Sequence, residues 1–245
     1  MSTVETRKFE PATGTAVNLG ASGDAVTLPA GVTLQTNTIK DAGGNTIFTS
    51  DGAGTLSSVN SGLQGNMTLI SSQTASGSSG VAFTSGIDGT YDEYMFVFVN
   101  IDIASSESNH KFQFNGSTDG GSNYNTTKTT TLFRSIHAED GATYFSYDAS
   151  YDLAQSTSYQ TLTPNQEDDD ADASSSGILH LFAPSSTTYV KQFYCRSHTM
   201  NDEAGGAAAT WFIAGYLNTT SAVNAINFQG GSSTFSGSIY LYGIK

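Results

Sequence analysis

Tyr94-Met95-Phe96-Val97-Phe98-Val99-Asn100 is the stretch that decides the fold class of this chain. It is nearly continuous in apolar character, rich in aromatic and β-branched side chains, and too short for a buried helix, so it reads as a β-strand. A run with so little polar interruption predicts a central strand covered on both faces. The same texture repeats on either side of it. MTLISSQ (67–73) and VAFTS (81–85) come before; KFQFN (111–115), TTTLFRSI (129–136), ATYFSY (142–147) and GILHLF (177–182) come after. TYVKQFYCRSH (188–198), ATWFIAGYL (209–217), AINFQ (225–229) and SGSIYLYGI (236–244) complete the series. About ten strand candidates, some joined by long polar connections, predict an all-β, two-sheet, jelly-roll-like β-sandwich over 66–245. The best short helical stretch is 151–158, so the chain offers no helices for parallel crossovers.

Composition points the same way. Charged residues are 13% of the 245, about half the usual share, and Gly alone numbers 26. The surface is therefore built from Ser, Thr, Asn, Gln and Gly, which suits turn-rich β structure rather than helices faced with Glu and Lys. Asp and Glu number 22 against 9 Lys and Arg, a net charge of -13. That balance argues against nucleic-acid binding by phosphate neutralisation and against adhesion to an anionic membrane. No apolar run approaches the ~18 residues of a membrane span. Cys195 is the single cysteine, which excludes an intrachain disulfide, and residues 1–10 carry no apolar signal-peptide core. Synthesis in a reducing cytoplasm is the expectation.

Residues 1–65 have a different texture. Apolar residues come in pairs one position apart, Val17 with Leu19, Val26 with Leu28 and Val32 with Leu34, set off by Gly, Asn, Asp or Pro. The spacing describes very short strands with one covered face. Tight turns are predicted at Gly43-Gly44 and Asp51-Gly52. Such strands need a neighbour to lie against, and the alternative is a loosely ordered arm. The segment reads as an extended Gly-rich β arm for docking or oligomerisation, with Val17, Leu19, Val26, Leu28, Ile47 and Phe48 as its contact residues.

Candidate sites are few. Glu167-Asp168-Asp169-Asp170-Ala171-Asp172 concentrates charge. Hard carboxylates at this density suit Ca2+, but the spacing is not that of an EF-hand, and solvent relieves the same repulsion. Asp119-Gly120-Gly121 reads as a hairpin turn. His110, His137, His180 and His198 show no metal-ligand spacing, and no other cofactor is implied. Cys195 reads as a small buried residue rather than a nucleophile. No nucleophile elbow, P-loop or dinucleotide fingerprint occurs, and nothing singles out a carboxylate pair, so the expectation is a non-enzymatic protein. Tyr144, Tyr147, Tyr151 and Tyr159 are candidates for a glycan platform, against the alternative of sheet-edge packing; Trp211 reads as core.

TIKDAGGNTIFTSDGAGTLSSVNSGL (38–63) resembles a segment recurring in structural and tail-fibre-like proteins of marine, cyanophage-like tailed bacteriophages. FTSGIDGTYDEYMFVFVNI (83–101), FNGSTDGGSNYNTTKTTTLFR (114–134), SGILHLFAPSSTTYVKQFY (176–194) and the stretch 214–245 are similar to phrases of the same family. The resemblance implies a virion structural protein, most readily a tail or tail-fibre component. It would form a homotrimer and meet other virion proteins or a host surface glycan. It carries over no catalytic residue. A head decoration protein, a carbohydrate-active fibre enzyme and a free carbohydrate-binding module are the rival expectations. A signal-less, disulfide-free chain would then leave its host by lysis as part of a particle.

Overall fold

The structure, a computed structural model, describes residues 36–53, 56–59, 66–104, 111–164, 173–201 and 206–245. The chain divides into two compact units, Met1–Leu63 and Gln64–Lys245. Among the described residues of the first unit, β1 (Thr38–Lys40), β2 (Thr46–Ser50) and β3 (Leu56–Val59) form an antiparallel sheet in that order. Its turns fall where Gly and Asp predict them. Gly44 adopts φ +83°, and the Asp41 carboxylate accepts from the Asn45 amide at 2.8 Å. Gly52 adopts φ +81° beside Asp51, whose carboxylate accepts from the Ala53 amide at 2.7 Å.

The second unit contains twelve strands among its described residues: β4 (Met67–Ser78), β5 (Val81–Phe83), β6 (Glu93–Ile103), β7 (Phe112–Ser117), β8 (Lys128–Ala138), β9 (Thr143–Tyr147), β10 (Gln160–Thr163), β11 (Ser175–Phe182), β12 (Lys191–Asn201), β13 (Ala207–Leu217), β14 (Ala225–Gln229) and β15 (Phe235–Ile244). A wide sheet has the order β4-β15-β6-β11-β12-β13-β8-β9, and a narrow one has β10-β7-β14-β5. Every pairing is antiparallel.

The strand order resolves into a jelly roll. The pairs β4·β15, β5·β14, β6·β11 and β7·β10 nest outside-in and alternate between sheets, as when one long antiparallel ribbon is rolled up. Two hairpins interrupt the ribbon, β8–β9 between β7 and β10 and β12–β13 between β11 and β14. Both join the wide sheet beyond β11, which makes it eight strands wide against four.

The core lies between the sheets and is aromatic. Tyr94, Phe96 and Phe98 of β6 point inward at alternate positions and are fully buried. They meet rings of the narrow sheet: Phe96 packs on Phe228 at 5.3 Å and Phe98 on Phe112 at 5.2 Å, while Phe112 and Phe228 stack at 5.5 Å. Rings set at such offsets add directional contact to burial worth about 1.5–3 kcal/mol per side chain. Gly177 keeps this packing possible. A Cβ there would lie 2.5 Å from the Phe98 ring and 2.7 Å from the Arg196 carbonyl.

Three expectations are corrected and one strand is added. Strand β6 is central, but within the sandwich only its inner face is covered: Met95 and Val97 are half-buried outside and Val99 is exposed. Residues 151–158 are not helical; they run as irregular chain, tied to β8 by mutual backbone hydrogen bonds between Lys128 and Ser156. The Asp119-Gly120-Gly121 turn does not close a hairpin, because β7 and β8 lie in different sheets and the turn carries the chain across. Its left-handed glycines, at φ +74° and +92°, and the Asp119 carboxylate accepting from Ser117 and Asn123 give it its shape. Finally, β10 was not foreseen. Its sequence QTLT looks like loop, yet all four residues are buried, and Gln160 is held by Thr130 at 2.6 Å and by the Tyr151 carbonyl at 3.0 Å.

Candidate functional site

The register of the wide sheet builds a continuous outward ladder. Side chains directly opposite each other across strands share a face. Tyr240, Val97, Ile178, Arg196, Phe212, Phe133 and Tyr147 follow one another from β15 to β9 as register partners. One step along the strands, Tyr242, Met95, His180, Tyr194, Ala214 and Thr131 make a second ladder. The rings contact one another: Phe133 stacks on Phe212 at 4.9 Å, and His180 stacks on Tyr194 at 4.4 Å. The Arg196 guanidinium lies 5.5 Å above the Phe212 ring, which keeps the one cation in the first ladder on apolar ground.

Ala214 makes the relief of this face. Its methyl stands between Tyr194 and Thr131, leaving an apolar hollow of about 260 Å³ walled by Phe133, Phe212, Tyr194 and Arg196. A shallower hollow of about 470 Å³ adjoins it, bounded by Phe182, Val190, Gln192 and Tyr216. The smaller hollow falls below the ~300–1,000 Å³ of drug-sized ligand sites, so it suits one ring rather than a cofactor.

The electrostatics of the face are unusual for this chain. Strands β11, β12, β13, β8 and β9 contain no Asp or Glu, although the whole chain has 22. Glu93 of β6 is engaged by His180 Nδ1 of the second ladder. Beneath the face, Lys128 and Lys191 flank Leu217 in register and are both buried. Lys191 donates to the carbonyls of Tyr189 and Thr219 at 2.9 and 3.1 Å, and to that of Ser186; Lys128 donates to Ser158 at 2.7 Å. Burial pushes the Lys128 ammonium down to about 7 and lowers that of Lys191 as well. Burial also raises the Cys195 thiol far above its ordinary range, so it stays a protonated core group.

The narrow sheet presents the opposite surface. Its outward positions carry Gln113, Asn115, Thr161, Asn227 and Gln229, and these groups bond to one another or to nearby backbone. Gln113 donates to Thr161 at 3.1 Å. Asn115 donates to the carbonyls of Tyr124 and Thr157 at 2.8 and 2.9 Å and accepts from the Gly116 amide.

The four tyrosines considered for glycan contact do not share a platform. Tyr147 stands on the wide outer face and donates to Asp152, and Tyr144 alternates to the other side of β9. Tyr151 packs against the core, edge-on to Trp211 at 6.4 Å, with the Lys111 ammonium 5.1 Å from its ring. Tyr159 donates to Asn227 at 3.1 Å on the narrow sheet. Trp211 is core, as expected. Of the arm residues, Ile47 and Phe48 lie half-buried in β2, where alternation turns them to opposite sides. Val17, Leu19, Val26 and Leu28 fall outside the described residues, as do His110 and the acidic run with Asp168, Asp169, Asp170 and Asp172. Among the described residues no three His, Cys, Asp or Glu side chains gather as a metal site.

Phe145, Tyr194, Phe212 and Ala214 were not singled out from the sequence. Alternation within ATYFSY puts Phe145 and Tyr147 on one side, which was a usable signal. The side itself, and the cross-strand neighbours, depend on pairings between distant segments. No known protein family, curated protein or solved structure matches this chain.

Proposed function

We propose that this chain is a non-enzymatic structural protein of a tailed-phage particle, a tail or tail-fibre component. It attaches through its N-terminal unit as a homotrimer and presents the jelly roll to the host surface or to a neighbouring virion protein. The observation that carries the reading is the inequality of the two outer faces. One is a hydrogen-bonded polar surface, and the other is an open, ring-lined surface whose strands β11, β12, β13, β8 and β9 carry no Asp or Glu, of the kind used for contact with other macromolecules. The likeness of several sequence phrases to marine phage structural proteins supports the same reading. The mechanism is binding, in which several copies on one particle compensate for weak single contacts.

Immunogold labelling of purified phage particles, with antibody raised against residues 64–245, tests this. Gold on the tail or its fibres is expected. Gold spread over the head would instead make the protein a shell decoration, and absence from intact particles would remove the virion assignment.

A further inference from the structure

We propose that copies of this chain associate through the outer face of β11-β12-β13-β8-β9, with the Phe145 ring of one copy seated in the Ala214 hollow of the next. The inference deepens the structural-assembly reading by naming its contact surface. It is tested on the isolated protein, so its failure is separate from a failure to find the chain on particles.

Three observations specify a second copy as the occupant. The first is charge. With a net of -13, two copies meeting through most of their surface would bring carboxylates together, whereas these five strands carry none. The second is area. Strands of eight to eleven residues at about 3.3 Å rise and about 4.8 Å spacing, with the shorter β9, present roughly 700 Å². That is close to the ~800 Å² per partner of a stable interface. The third is shape. Phe145 is 76% exposed, the most exposed large apolar side chain among the described residues, and stands at the β9 edge of the same face. Two strands inward, Ala214 carries only a methyl, and the hollow over it is walled by the rings of Phe133, Phe212 and Tyr194. A knob at one side of a face and a hole nearer its middle make a head-to-tail contact, which closes into a ring when the rotation between copies allows.

Sedimentation velocity and native mass spectrometry of the full chain from about 1 to 100 µM test the proposal. The unaltered protein is expected to form a closed multi-copy species. Phe145→Ser, which removes the knob, and Ala214→Arg, which fills the hole, are each expected to weaken association at least tenfold while keeping the thermal melt and β-sheet circular dichroism. Gln113→Ala on the narrow sheet is expected to leave association unchanged. A monomer throughout the range would overturn the proposal, and so would folded Phe145→Ser and Ala214→Arg variants that assemble as the unaltered chain does. Should either variant lose its fold, hydroxyl-radical footprinting of the unaltered chain decides. Concentration-dependent protection of Phe145 and Tyr194 supports the contact, and unchanged oxidation of both refutes it.

Discussion

The two outer faces of this sandwich belong to sheets that share one core, yet they handle their exposed chemistry in opposite ways. On the narrow sheet, side-chain amides and hydroxyls bond along the surface, as Gln113 does to Thr161 and Tyr159 to Asn227. On the wide sheet, rings and aliphatic groups are stacked in ladders that end at solvent, as Phe133 and Phe212 are. The first face is complete within the chain. The second has gathered apolar surface that folding alone does not cover. Folding therefore accounts for the narrow face, and the wide face is the one proposed for a partner.

This contrast is open to attack by substitution, and the largest effect on stability should come from the polar side. Asn115→Ala strips two donated hydrogen bonds and one accepted one from a fully buried site. Leaving those backbone groups unpaired should cost about 2–4 kcal/mol in urea unfolding. Association should be untouched.

Gly177→Ala tests the layer between the faces. The added methyl must displace the Phe98 ring or the backbone at Arg196, both under 3 Å away. A loss of about 1–3 kcal/mol is expected, with the Phe98 shift read by near-ultraviolet circular dichroism.

Lys128 supplies a pH test of the ground beneath the wide face. Its folded-state value of about 7 lies below the 10.5 of a free lysine, so between these values the unfolded chain holds more protons. Stability should therefore rise with pH from about 7 upward, and the cost of the buried charge should be fullest below 7. Denaturant titrations at pH 7 and pH 9 should differ by roughly 1–2 kcal/mol, and Lys128→Met should flatten that difference.

The smallest effect on stability should come from the face proposed for contact. Phe145→Ser alters a largely exposed side chain at a sheet edge, and its unfolding free energy should stay within about 0.5 kcal/mol of the parent. A face that tolerates substitution in folding but not in association is the signature of a surface kept for a partner.

The legibility of the sequence follows the range of the forces involved. Local patterning was enough for the all-β class, for most of the long strands, and for the Gly44 and Gly52 turns, because alternation and left-handed glycines are encoded within a few residues. Strand β10 escaped because Gln160 and Thr163 are buried by partners far along the chain, so its polar sequence carries no local mark of a strand. The two-sided cover expected for Tyr94 to Asn100 showed the opposite limit. Apolar content says that a surface should be buried, without saying whether the same chain buries it. The candidate face was hidden for the same reason. Tyr194, Ala214 and Thr131 become neighbours only when β12, β13 and β8 pair, and Ala214 is conspicuous only between larger residues.

The most direct measurement compares the two faces in one experiment. Hydroxyl-radical footprinting of the full chain, at concentrations below and above association, reads side-chain exposure across both sheets together. The account predicts protection of Phe145, Tyr194 and Phe212 on association, with Tyr159 on the narrow sheet unchanged. Protection of Tyr159 instead, or association with no change at the three rings, would contradict it.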